Sequence, residues 1–304
     1  MARTVTIDPA SLAVQKPLKD ILPEVKPRPG FTGFVLRHPT IVIGIALLAV
    51  MILLAIFAPY VGTQDPAQLS TSKRMASPSA QFWFGTDMFG RDVYSRVIYG
   101  ARVSLLVGLS VAILSTAVGL LIGLVSGFIR PLDAILMRIM DGVMSIPSIL
   151  LAIALMALTR GSVGNVIIAI TVAEFPRVAR LVRGLVLGLR EQPFIEAAIA
   201  AGSATWKLIY RHVLPNTVAP LIVQATYICA AAMIVEAVLS FIGAGTPPTT
   251  PSWGNIMSEG RAIWQIKFTV VLFPAIFLSI TVLAVNLLGD GLRDALDPRN
   301  PSGQ

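Results

Sequence analysis

An all-α integral membrane protein with six transmembrane helices is the fold class this sequence predicts, and three observations predict it. Apolar residues make up 55% of the 304 residues and charged residues only 13%, against roughly 25% charged in a soluble domain. Mean hydropathy is +0.77. Apolar runs of spanning length recur along the chain, separated by short polar connections.

Composition also excludes function classes. The one cysteine, Cys229, lies in an apolar run, so no intrachain disulfide and no thiolate metal cluster is expected. The two histidines, His38 and His212, sit in polar flanks, which argues against a His-ligated metal or an intramembrane Ser–His hydrolase. Gly161-Ser162-Val163-Gly164 has the wrong order for a G-x-S-x-G nucleophile turn and reads as a helix connection. The net charge of +8 comes from dispersed basic residues without a nucleic-acid motif. These residues suit the flanks of spans and anionic lipid, so lipid is an expected partner and nucleic acid is not.

In chain order, residues 1–39 are polar and proline-punctuated and read as a cytoplasmic tail with a short interfacial helix near 31–37. Residues 40–57 form an apolar run of eighteen, ~27 Å as a helix, and read as an uncleaved first span. The external segment 58–102 is polar and contains F-G-T-D-M-F-G-R-D, with Gly85, Asp87, Gly90, Arg91 and Asp92; glycine turns and Asp87 as a helix cap are its structural reading. A five-helix core covers 103–292.

Within that core, 103–128 is the second span. Gly108, Ala112, Ser115, Gly119, Gly123 and Gly127 make a small-residue stripe that permits close helix packing. Residues 130–133 read as an inner turn. The third span, 134–158, carries Arg138 and Asp141, three apart and able to pair on one face. The fourth, 165–188, turns basic with Arg177, Arg180 and Arg183; Glu174 can pair with Arg177, and Pro176 should kink the helix. The fifth, 217–243, holds Glu236, a carboxylate costly in lipid that must face protein or water, lining a solute path or pairing within the bundle. An outer loop, 244–267, offers Ser252 as cap of a short helix to Gly260, with Trp253 and Trp264 suited to the interfacial belt. The sixth span is 268–288, and 293–304 is a second cytoplasmic tail.

With an inward N-terminus, sixteen Lys and Arg residues fall on the inner side and eight on the outer. The excess places both termini in the cytoplasm and puts loop 191–216 inside.

That loop is the longest polar insertion in the apolar part of the chain. It runs through alanine-rich helix former from Glu196 to Ala201, breaks at Gly202, resumes from Ser203 to His212, and meets Pro215. Helix, turn, helix is the economical reading, with alanine methyls that let another surface approach closely. Glu196-Ala197-Ala198, then Gly202, then Leu214-Pro215 resembles the E-A-A loop of ATP-binding-cassette importer permeases. His212 fits the peptide and nickel branch, as does the F-G-T-D-x-x-G-R-D run with Ser95, Arg96, Arg102 and Ser104. E-A-V-L-S-F from Glu236 and the ending from Asn286 to Arg299 follow the same branch. More narrowly, the chain resembles the second of that branch's two permease types.

The resemblance implies the type I importer permease fold, in the bacterial inner membrane, with the loop as a coupling helix docking on an ATPase. It implies as partners a second permease, two cytoplasmic ATPase subunits and an extracytoplasmic solute-binding protein. No P-loop is present, so no cofactor is expected on this chain and ATP with Mg would belong to the partner ATPases. The alternative is an ion-coupled secondary transporter with Glu174, Glu236 or Asp141 as proton site.

Overall fold

The computed structural model describes residues 38–296; the expected interfacial helix at 31–37 and most of the 293–304 tail lie outside them. Among the described residues the regular structure is helical, with one isolated β-bridge between Thr86 and Asp92. The helices are α1 (Pro39–Ile56), α2 (Val93–Phe128), α3 (Arg130–Met144), α4 (Ser148–Ala157), α5 (Val163–Arg190), α6 (Pro193–Ala200), α7 (Thr205–Leu208), α8 (Leu214–Phe241), α9 (Trp253–Gly260) and α10 (Thr269–Leu296).

Among the described residues, four helical stretches are long and apolar enough to cross a membrane: α1, α2, Thr205–Phe241 and α10. The pair α3 and α4 counts as a fifth, but it is bent by 86° at the break between Met144 and Ser148. The expected single span at 134–158 is therefore two helices, because Pro147 cannot continue a helix begun before it. The sixth helix of spanning length is α5, at 28 residues or ~42 Å. It falls outside the apolar class because it carries Glu174, Arg177, Arg180 and Arg183.

Two boundaries differ from the sequence reading. Helix α2 begins at Val93, ten residues before 103, because Asp92 caps it by accepting the Ser95 N–H at 2.9 Å. Asp92, not Asp87, is the cap. Residues 130–133 form the first turn of α3, entered through Pro131, where proline is preorganised for a helix start.

The core lies where α2, α5 and α8 meet, around Val107, Val111, Ile170, Val178, Val182 and Ile228. Helices α2 and α5 run parallel in register: Gly119 faces Val178, Gly123 faces Val182 and Gly127 faces Val186. A Cβ on Gly123 would lie 2.5 Å from the Val182 Cβ and 2.7 Å from the Ala179 carbonyl, so the glycines are required by the approach of the two helices. Gly108 belongs to a different contact, against Met233 and Cys229 of α8, so the small-residue stripe serves two neighbours. Helix α1 packs on α10, with Gly44 beside the Leu288 backbone.

Helix α2 is 36 residues long, ~54 Å. The segment 58–92 feeds its start, whereas Gly127, near its end, accepts a hydrogen bond from Arg190 at the head of loop 191–213. The two polar regions singled out in the sequence thus lie at opposite ends of the bundle.

Candidate functional site

The loop after α5 is a compact knuckle. Pro193 opens α6, and Glu196 stands in its first turn, where a negative charge suits the exposed N–H groups. Helix α6 stops in a Schellman motif: the Ser203 N–H reaches the Ala198 carbonyl at 3.0 Å and the Gly202 N–H reaches that of Ile199 at 2.9 Å. Gly202 sits at φ +77°, with nothing near the position a Cβ would take. Its need for glycine is conformational, not steric. Helix α7 follows, then a π-helical turn, Ile209–Val213, that runs into α8 at Leu214 and Pro215.

The knuckle is two-faced. Ile195, Leu208 and Val213 are buried and seat it on the bundle. Phe194 (45% exposed), Ile199 (55%), Trp206 (71%) and Tyr210 (71%) point away from the bundle, and Glu196 and Ala197 are exposed with them, Ala198 partly so. Large apolar side chains turned outward beside a charge mark a contact surface. The alanines and glycine were legible from the sequence; the aromatic residues were not, since their orientation depends on how the turn folds.

Behind the knuckle, three arginines of α5 are engaged. Arg183 makes a two-pronged pair with Asp133, Nε to Oδ1 at 2.5 Å and Nη2 to Oδ2 at 2.7 Å. Arg180 donates to Asp141 at 2.6 Å. Arg177 lies 3.3 Å from Glu174 as an ion pair. The expected Arg138–Asp141 pairing gives way to these ties from α3 to α5. Both α3 acids find partners on α5, and a contact between helices also holds the bundle together.

Glu236 is fully buried in the isolated subunit. The Ser240 hydroxyl donates to its Oε1 at 2.8 Å, and the Ser104 hydroxyl to its Oε2 at 3.3 Å. The network continues from Ser240 to Thr246 and Ser252, and Asn255 closes it through its side-chain amide on Thr246 and Pro247. In this geometry the carboxylate links α8 to α2 through Ser104. Ser252 caps α9 by accepting from the Asn255 N–H, but Trp253 is buried, not interfacial, with Nε1 donating to the Val97 carbonyl at 3.0 Å.

At the same end, Gly85 and Gly90 adopt φ of +78° and +74°. A Cβ on Gly85 would lie 2.6 Å from the Ala76 carbonyl, and one on Gly90 would run into that of Ser70. Asp87, between them, accepts the N–H groups of Phe89 and Arg91 at 2.8 and 3.0 Å and the Arg91 guanidinium at 2.6 Å. Among the described residues no cluster of three metal-ligating side chains occurs.

Comparison with known proteins matches this architecture. Residues 115–300 match the family described as the binding-protein-dependent transport system inner membrane component, and residues 35–78 match the N-terminal TM domain of oligopeptide transport permease C. A probable peptide ABC transporter permease protein of Sinorhizobium fredii is 50% identical over 265 residues, 87% of this chain and 90% of that protein. A dipeptide transport system permease protein of Alkalihalophilus pseudofirmus is 43% identical over 267 residues, 88% of each chain. A glutathione transport system permease protein of Escherichia coli is 43% identical over 251 residues, 82% of this chain and 83% of that one. Among solved structures, an inward-facing MetNI methionine ABC transporter aligns with TM-score 0.53 and 22% identity, over 64% of this chain and 93% of the other, a likeness of fold. This chain belongs to the binding-protein-dependent transport system inner membrane component family and has the type I permease fold of ABC importers.

Proposed function

We propose that the chain forms, with a second permease, the translocation path of an ATP-driven importer for peptides or closely related solutes, and that the knuckle of residues 191–216 couples it to cytoplasmic ATPase subunits. The observation that carries this reading is the outward apolar face of Phe194, Ile199, Trp206 and Tyr210 around the Gly202 turn. Ile195, Leu208 and Val213 fix that face to the bundle, so force applied to it is transmitted to α5 and α8. Hydrolysis of ATP, with its Mg, falls to the partner subunits, and an extracytoplasmic binding protein supplies the solute. Both termini are assigned to the cytoplasm, from the excess of Lys and Arg on that side. The peptide class rests on the likeness to peptide, dipeptide and glutathione permeases.

The test is reconstitution of the chain with its second permease, ATPases and binding protein in proteoliposomes. ATPase activity and uptake are expected to rise together when the binding protein carries a peptide. Uptake that continues without ATP and collapses with an ion gradient would instead establish secondary transport.

A further inference from the structure

The F-G-T-D-x-x-G-R-D segment is the strongest sequence pattern that the proposed function leaves idle. The first of its two acids, Asp87, is 1% exposed, and beyond its contacts with Phe89 and Arg91 it takes a hydrogen bond from Arg96 Nη1 to Oδ2 at 2.7 Å. Arg96, in the first turn of α2, is 2% exposed. Glu259, at the end of α9 and 168 positions beyond Arg91, accepts from both Arg91 and Arg96 through Oε2. Two guanidiniums and two carboxylates thus close a ring of balanced charge. Each guanidinium is paired with both carboxylates, so the ring carries no net charge.

A second contact makes the ring mechanical. Val97, next to Arg96 on α2, holds the Trp253 indole through its carbonyl. Trp253 opens α9 and Glu259 stands in its last turn. Adjacent residues of α2 therefore grip both ends of α9, a span of ~9 Å along its axis. Breaking such a ring strands buried charge, whereas moving it as a whole disturbs none of these bonds.

We propose that Arg96 and Glu259 are positioning residues that weld residues 85–96 and α9 into one rigid abutment, which stays closed while the rest of the bundle changes conformation. The sequence motif is then the shaping of that abutment: glycine turns to aim Asp87, and Asp87 to hold the two arginines.

Hydrogen exchange read by mass spectrometry tests this on the assembled transporter in lipid nanodiscs. In the unaltered protein, peptides covering 85–96 and 253–260 are expected to exchange slowly and at the same rate with and without nucleotide. Glu259→Gln is expected to raise exchange at least tenfold in both peptides together, although only one contains the substitution. Faster exchange confined to 253–260, or exchange in the unaltered protein that changes with nucleotide, would overturn the proposal. The unaltered protein needs no substitution to fold, so the second outcome is accessible even if the variant fails to assemble. The nucleotide-free comparison of the variant does not depend on the transport reading, so its failure is separable from failure of that reading.

Discussion

Arg183 of α5 grips Asp133 of α3 with two parallel hydrogen bonds, fifty residues apart in the chain. The fork geometry is one that lysine cannot reproduce. Arg183→Lys is expected to lower stability by about 1 kcal/mol, since the pair is partly exposed. The double variant Arg183→Gln with Asp133→Asn should be no worse than the worse single change. Thermal unfolding in detergent checks both, and additive losses would show that the two residues act independently.

The parallel contact of α2 with α5 gives a packing test. Gly119→Ala would place a methyl against the Val178 Cβ, 2.7 Å from Val178 Cγ1 and 2.9 Å from the Phe175 carbonyl. A loss of roughly 1–3 kcal/mol is expected from overpacking. Adding Val178→Ala should recover part of it. The same melting assay decides, and no recovery would mean that the limiting neighbours are the Val178 Cβ and the Phe175 carbonyl, which the second change leaves in place.

Glu236 separates a bundle peg from a path residue. Glu236→Gln keeps a hydrogen-bonding group between Ser104 and Ser240, and is expected to leave yield and melting temperature near those of the unaltered chain. Glu236→Ala, which strands the buried Ser104 hydroxyl and leaves a cavity, should cost about 2–4 kcal/mol. Uptake kinetics provide the second reading: a peg leaves KM for the solute unchanged in the Gln variant, and a several-fold rise in KM would mean that the carboxylate meets solute.

The knuckle predicts a loss of coupling without a loss of fold. Gly202→Ala forces a Cβ into left-handed backbone at a cost of about 1–2 kcal/mol, although space is free around it. Trp206→Ala removes an exposed side chain and should leave stability within about 0.5 kcal/mol. Both variants are expected to reach the membrane, and in the reconstituted transporter to uncouple ATP hydrolysis from uptake. Normal uptake in both would remove the knuckle from the mechanism.

Much of this was readable in the sequence because it depends on local chemistry. Alanine runs, the Gly202 break, the glycines facing α5 and the cap at Ser252 are decided by residues within a turn or two of one another. What escaped was set by distance. Asp141 has a candidate partner three residues back, yet the bend after Met144 and the approach of α5 deliver Arg180 instead. Glu259 has no local sign of importance, since both its partners lie more than 160 positions away. Trp253 looks like an interfacial aromatic until α2 is seen to offer it the Val97 carbonyl.

The π-helical turn at Ile209–Val213 has a practical consequence for chimeras. Such a turn inserts about one residue relative to an α-helix and rotates everything beyond it by roughly 100°. The faces of α7 and α8 are therefore out of step by that rotation. A transplanted knuckle from a relative must carry the additional residue with it, or Trp206 and Tyr210 will be aimed at the wrong quarter while every helix remains intact.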